Sequence, residues 1–502
     1  MSLKKNIIAN YIGQGYITLI GIFMPPFYLE YLGAEAYGLV GFFSLIGTLL
    51  AVLSMGLSPT LARQIALERG RDEHDFFRLR QLLRSIELIF LILTLSVGLG
   101  IGLGSFWIAD HWLSVEQLPQ SDVAYCISLM GIIIGSNWFG LLYRGGIQGT
   151  EKMVWLSVAG IIMASLRYLL AYAMLRWLTN EPRHFFEFQL AISLIELVLF
   201  GIKFYSLLPR THETHYGFSW SALKAVLPFT SGIAYTSSLW ILLTQSDKLI
   251  LSHLLPLREY GYFALVGVVA NGLLTLVYPV SQALLPRLTL LLSQGNEHEM
   301  PQLYRKATQL VATIIFPIAG TIALFSKQVL YAWTGDSAAA LWASPILTWF
   351  ILGNCILTMT VFPNYLQYAH GKLRLQVINS SINAVVQLPI LLYAANYYGV
   401  LGVAYSWFGI RLLAFFIFPA IVHCSLVQGL HSRWLFVDIL PRLLVTLICL
   451  TLSSIVMSIF AFQSREALVL FIGCVVSIAI AFNAGLYFLM QYCLQFKWFH
   501  RL

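Results

Sequence analysis

The sequence predicts an all-α integral membrane protein of about fourteen transmembrane helices. Three observations predict it. Apolar runs of roughly twenty residues follow one another along the whole chain, and a helix of about twenty residues spans a hydrocarbon core roughly 30 Å thick. Hydrophobic residues make up 59% of the 502 and charged residues only 10%, where a soluble domain carries about 25%. The polar segments between the runs are short, which leaves no room for a sizeable soluble domain.

Taken in order, the predicted spans are 7–29, 36–57, 86–108, 123–142, 154–175, 185–208, 225–244, 260–284, 307–330, 341–362, 375–398, 400–422, 443–462 and 467–493. The first follows Lys4 and Lys5 and could pass for a signal peptide. It is longer than the 7–15-residue core of one, and no small-x-small cleavage site follows it, so it reads as a retained span. The six cysteines lie inside or at the ends of apolar runs without Cys-x-x-Cys spacing. They read as packed thiols rather than disulfides or metal ligands.

With the N-terminus placed inside, 22 Lys and Arg residues fall on the inner side and 6 on the outer, with Arg167 and Arg411 inside spans. This asymmetry predicts that both termini are cytoplasmic. It also accounts for the net charge of +8 without a nucleic-acid partner, because the cations sit in loops between apolar runs. The longest outer loop runs only over 109–122.

The two halves resemble each other. Tyr37-Gly38 recurs as Tyr260-Gly261, Leu61-Ala62-Arg63-Gln64 as Leu285-Pro286-Arg287-Leu288, and Gly149-Thr150-Glu151-Lys152 as Gly371-Lys372-Leu373-Arg374, at an offset close to 222–224 residues. Six spans separate the copies, so they run the same way through the membrane, as a parallel repeat. The predicted organisation is an N-lobe over 1–215 (spans 1–6), a C-lobe over 216–430 (spans 7–12) and two additional helices over 431–502. Two six-helix lobes around a central cavity is a transporter architecture, with substrate sites near the mid-membrane.

Residues three and four apart share a helix face. Asn6, Asn10, Gln14 and Thr18 form a polar stripe on span 1; Ser231, Tyr235, Ser238 and Gln245 on span 7; Asn271, Thr275, Tyr278 and Gln282 on span 8; Gln376, Asn379, Asn383 and Gln387 on span 11. Amides facing lipid are costly, so such stripes face protein or water. Helix–helix hydrogen bonding is the plain alternative. Ionisable groups within spans are sharper signals, at about 2.5–3.5 kcal/mol each on the insertion scale. Arg167 lies in span 5, Glu196 in span 6 as the one mid-span acid, and Arg411 in span 12; Asp247-Lys248 sits at the outer end of span 7. Arg167 and Glu196 could simply pair. Arg411 has no acid in its own span and is a candidate contact for an anion. The candidate cavity set is therefore Arg411, Arg167, Lys248, Asn10, Gln14, Asn379 and Asn383, with Asp247 and Glu196 as candidates for ion coupling. Asp72-Glu73-His74-Asp75 has metal-ligand residue types but lies among arginines and reads as a solvated surface. Gly145-Gly146 lacks the lysine of a phosphate-binding loop. No metal, cofactor or ATP-hydrolysing motif is called.

At this point the chain resembles the Wzx-type O-antigen and polysaccharide flippases of the multidrug/oligosaccharidyl-lipid/polysaccharide exporter superfamily, over about residues 1–430. The resemblance is carried by Lys4, Lys5 and Asn10, by Leu32-Gly33-Ala34-Glu35-Ala36-Tyr37-Gly38, by Ser246-Asp247-Lys248-Leu249-Ile250-Leu251 followed by Glu259-Tyr260-Gly261, and by Trp333-Thr334-Gly335. It implies alternating-access transfer of a polyprenyl-diphosphate-linked oligosaccharide, the lipid usually undecaprenyl diphosphate, from the cytoplasmic to the periplasmic leaflet of a bacterial inner membrane. Ion-gradient coupling and a polysaccharide polymerase as a further partner belong to the same expectation. That family commonly has twelve spans. Fourteen also resembles the peptidoglycan lipid-precursor flippase of the superfamily. Two other classes remain: a multidrug cation antiporter of this fold, which calls for acids in the lobes, and a membrane glycosyltransferase or polymerase, which calls for an acidic catalytic loop and usually a large outer one.

Overall fold

A computed structural model of the chain describes residues 3–54, 56–69, 76–208, 217–295, 299–372, 374–460 and 464–499. The described residues are almost entirely helical. The helices are α1 (Leu3–Phe23), α2 (Pro25–Leu32), α3 (Ala34–Leu50), α4 (Leu57–Arg69), α5 (Phe76–Trp107), α6 (Gln120–Gly149), α7 (Met153–Ser165), α8 (Ala171–Trp177), α9 (Pro182–Leu207), α10 (Trp220–Leu254), α11 (Leu257–Ser293), α12 (Glu299–Leu324), α13 (Ser326–Thr334), α14 (Ser337–Ala369), α15 (Arg374–Leu426), α16 (Leu430–Arg433), α17 (Leu440–Phe460) and α18 (Arg465–Phe499).

Among the described residues, twelve helical segments are long and apolar enough to cross a membrane. One of them, α15, is two helices. Gly399 breaks it with φ 63° and ψ −152°, a conformation that only glycine adopts without strain. The break falls at the predicted boundary between spans 11 and 12. α10 is not among the twelve, but its 35 residues extend for about 50 Å at 1.5 Å per residue and contain the predicted span 225–244. Splitting α15 and adding α10 gives the fourteen spans predicted.

The chain forms two compact units, Met1–Gly261 and Tyr262–Leu502. In the first, α6 is the central helix and packs on α4, α5 and α9. A heptad-like stripe explains this. Leu79, Leu82, Leu83, Ile86 and Phe90 of α5 are buried against Trp138 and Leu142 of α6 and Phe200 and Phe204 of α9, which is one apolar face per helix at a 3.6-residue period. Gly131 and Gly135 of α6 let α5 approach to Gly98 and Thr94, the small-residue packing that membrane helices favour.

The repeat meets itself inside this unit. A Cβ on Gly38 would sit 2.2 Å from the Leu257 carbonyl, and one on Gly261 would sit 2.3 Å from the Ala34 carbonyl. The first turns of α3 and α11 thus touch backbone to backbone through the two copies of Tyr-Gly, a contact closed to any larger residue. Beside it, the Glu35 carboxylate accepts the backbone N–H groups of Glu116, Gln117 and Leu118 at 2.6–3.2 Å, and Ser114 accepts that of Leu257 at 2.9 Å. Three amides on one buried carboxylate explain why an acid stands in Gly33-Ala34-Glu35.

In the second unit, α14 packs on α15, and α12 holds both α17 and α18. The membrane segment before α17 starts earlier than predicted: helical structure runs from Leu430 to Phe460, not from 443. Asp438 and Arg442, predicted as loop residues, lie within it. The five cysteines whose side chains are described are free. Asp72-Glu73-His74-Asp75 lies outside the described residues, as do the side chains of Asn6 and Gln282.

Candidate functional site

Within residues 1–261 six helices, α1, α3, α6, α7, α9 and α10, line a cavity of about 690 Å³. Each wall is a helix face read off at helical spacing. α6 contributes Asn137, Trp138, Leu141 and Arg144; α3 contributes Ser44, Gly47 and Thr48, with Ala51 in the 3-10 turn that follows it; α10 contributes Trp240, Ile241, Thr244 and Gln245. The steps of three and four residues put each set on one side of its helix. Gly160, Met163 and Ala164 continue along α7 to Arg167 and Tyr168. Arg167 lies in a π turn, Leu166–Leu170, which widens the helix and leaves backbone groups off register, a feature frequent at functional sites.

Charge gathers at one point. Arg167 Nη2 donates to Glu196 Oε2 at 2.7 Å and lies 3.4 Å from Ser193 Oγ. Arg144 Nη2 donates to Glu196 Oε1, and its guanidinium carbon lies 4.6 Å from the centre of the Phe200 ring. One carboxylate is therefore shared by two guanidiniums, leaving a net charge of +1. The Glu196 side chain is 11% exposed, against 21% for Arg167 and 40% for Arg144. The acid is the buried member, and the cations face the cavity.

The sequence-predicted residues are distributed as follows. Arg167 and Glu196 line this cavity and pair. Asp247 is buried, and Lys248 Nζ donates at 2.9 Å to Oε1 of Gln245, itself on the cavity wall. Asn10 and Gln14 are exposed on α1, ahead of the cavity residue Ile17. Asn379, Asn383 and Arg411 belong to the second unit. The two asparagines are half-buried on α15. Arg411 lies over the indole of Trp407, 3.8 Å from the ring centre, and Trp407 stacks on Phe350 at 5.2 Å.

Sequence alone missed four charged groups. Arg144 counts there as a loop cation, yet it is inside α6, three residues past Leu141 on the same face; that spacing was the available signal. Glu196 is not the one acid inside the spans. Glu87 on α5 accepts from Arg84 at 3.0 Å, from Tyr143 at 3.1 Å and from Tyr205. Asp438 is fully buried and takes two hydrogen bonds from Arg305, at 2.7 and 2.9 Å, and one from Gln309 at 2.5 Å. Arg442 donates to the Asp438 carbonyl at 2.9 Å. Only the i, i+4 spacing of Asp438 and Arg442 hinted at this cluster.

A second cavity, of about 580 Å³, lies in residues 262–502 among α11, α12 and α18. Its walls are mostly apolar, including Val280, Leu284, Leu310 and Phe488, with Arg287 and Lys306 as its cations.

Residues 3–292 match the family described as polysaccharide biosynthesis protein. A Shigella flexneri protein named as a candidate O-antigen transporter is 22% identical over 440 residues, covering 86% of this chain and 98% of that protein. An uncharacterised Methanocaldococcus jannaschii membrane protein is 25% identical over 307 residues, covering 58% of this chain and 68% of its own. Among solved structures, the lipid II flippase MurJ in an inward closed conformation superposes with a TM-score of 0.71 at 14% identity, covering 97% of this chain and all of that one. An inward-facing multidrug resistance transporter of the MATE family gives 0.66 at 13% identity over 82% of this chain and 96% of its own. At these identities the structures establish a shared fold.

Proposed function

The chain belongs to the polysaccharide biosynthesis protein family, and on that premise we infer that it is a multi-pass flippase moving a polyprenyl-diphosphate-linked oligosaccharide from the cytoplasmic to the periplasmic leaflet. The observation that carries this reading is the cavity of residues 1–261. It holds two arginines, amides and hydroxyls from Asn137, Gln245, Ser44 and Thr48, and the indoles of Trp138 and Trp240. Guanidiniums match a diphosphate with bidentate, charge-assisted hydrogen bonds. Amides and hydroxyls match sugar hydroxyls, and indole faces match the apolar face of a pyranose. Its volume lies in the ordinary range of ligand sites, about 300–1,000 Å³. The apolar cavity in the second unit, with Arg287 and Lys306, suits a polyprenyl chain and its charged end.

Arg411, Lys248, Asn10, Gln14, Asn379 and Asn383 stand as proposed further contacts along the path, and Asp247 as a proposed coupling group. The bacterial inner membrane, with both termini cytoplasmic, is the proposed setting, resting on the 22-to-6 loop cations. A multidrug cation antiporter is the competing reading, and the net positive charge of the cavity opposes it.

The test is reconstitution in liposomes with a fluorescent polyprenyl-diphosphate oligosaccharide, scored by protection from an added glycosidase or lectin. Transfer that needs Arg144 and Arg167 supports the reading. Export of organic cations with no movement of the lipid-linked sugar overturns it in favour of the antiporter.

A further inference from the structure

The two arginines that suit a diphosphate are already held by a carboxylate. Glu196 places one oxygen on Arg167 at 2.7 Å and the other on Arg144, so its two oxygens occupy guanidinium positions that two phosphate oxygens would take. The three residues come from three helical segments, α6, the π turn of 166–170 and α9, and they meet on the wall of one cavity. Among the described residues, the other titratable side chain lining that cavity is Tyr168. Lys203, two turns further along α9, is drawn to the Trp155 ring at 5.3 Å.

We propose that Glu196 is a resident competitor for the anion site: it holds Arg144 and Arg167 in the empty protein, yields them to the substrate's diphosphate, and recaptures them when the substrate leaves. This rests on reading the cavity as a diphosphate site. The physical need is clear from the charges. Two bare guanidiniums side by side in a low-dielectric wall would repel each other and remain uncompensated. They would also bind a diphosphate too tightly to let it go. A carboxylate that exchanges with the ligand solves both problems, since the release of one anion is offset by the return of the other.

The exchange also moves a proton. Two arginines and a carboxylate carry +1. Adding a doubly charged diphosphate brings the cluster to −1, with Glu196 displaced beside another anion. Like charges in one site favour protonation of one of them. The displaced carboxylate therefore takes one proton from water, which brings the cluster to neutrality, and gives it back when it re-pairs. Substrate binding and proton uptake become one event, with no further acid required.

The experiment uses the purified full-length chain in nanodiscs and a short-chain prenyl diphosphate N-acetylglucosamine as probe. Calorimetric titration in two buffers of different ionisation heat measures both affinity and protons exchanged. Wild type should take up about one proton per probe bound. Glu196→Gln should bind about tenfold tighter, equivalent to about 1.4 kcal/mol, with no proton uptake, and should flip the probe more slowly in liposomes. Glu196→Asp, which keeps the charge but shortens the reach, should retain uptake and covers the case where the Gln variant folds poorly. Equal or weaker binding by Glu196→Gln, or unchanged proton uptake, overturns the competitor role while leaving the diphosphate site standing. Failure of wild type itself to bind the probe overturns the diphosphate reading and the competitor with it.

Discussion

Two clusters in this protein contain nearly the same groups and differ in access to water. In the first unit, Glu196 is shared by Arg144 and Arg167 on the wall of a cavity, with the arginine side chains 40% and 21% exposed. In the second, the Asp438 carboxylate and Arg442 are fully buried, the Arg305 side chain is 23% exposed, and both oxygens of the Asp438 carboxylate are engaged by Arg305 or Gln309. The second cluster ties α12 to the helical segment that leads into α17. A fully buried carboxylate with both oxygens engaged is out of an incoming ligand's reach, and removing it leaves uncompensated charge behind. A pair on a cavity wall can trade its partner for an incoming anion. Composition does not separate a site from a staple; whether the shared acid reaches a cavity does.

The largest effect should come from breaking the sealed cluster. Asp438→Ala leaves Arg305 and the buried Arg442 without their carboxylate neighbour, at a cost of about 3–5 kcal/mol. The protein should fail to accumulate in the membrane, and removing Arg305 as well should restore part of the loss. Normal accumulation and a normal melting temperature for the single variant would dissolve the contrast.

Opening the other cluster should show the reverse pattern. Arg167→Ala leaves Glu196 paired with Arg144, so accumulation should stay near wild type. It removes a charge-assisted contact worth about 1.5–3 kcal/mol, and transfer of the lipid-linked sugar should fall roughly 10- to 100-fold, with Arg167→Lys keeping partial transfer. Loss of accumulation in parallel with transfer would mean that this cluster is a staple too.

Two further carboxylates grade the same rule. Glu35 is buried and satisfies three backbone amides, so Glu35→Gln should cost about 1–2 kcal/mol, read as a lower melting temperature of the purified protein. Arg84, with its side chain 54% exposed, should matter least. Arg84→Ala should cost at most about 1 kcal/mol, because Glu87 keeps its tyrosine partners, Tyr143 and Tyr205. An Arg84 effect exceeding that of Glu35 would contradict access to water as the ordering variable.

Much of this was legible along the chain. The retained first span, the helix boundary at Gly399 and the repeated Tyr-Gly follow from local hydropathy and short motifs. The helix Trp220–Leu254 likewise contains a span that the hydropathy predicts. Glu196 and Arg167 were visible because a charge amid apolar neighbours is conspicuous. Arg144, Asp438 and Arg442 were not, because each lies near a span end, where a charge has an ordinary explanation in the loop.

The sequence by itself determined the membrane class and the spans. These depend on how many apolar residues fit one bilayer thickness, a property of each segment alone. Only the tertiary structure decided which charges meet. Arg144 and Glu196 are 52 residues apart and Arg305 and Asp438 133 apart, and their pairing depends on how each helix is rotated against its neighbours. That rotation is set by packing, by the Phe90, Trp138 and Phe200 layer in one unit and by α12 against α17 and α18 in the other. The same packing sets one acid on a cavity wall and buries the other completely, so the difference between a site and a staple is written in no single segment.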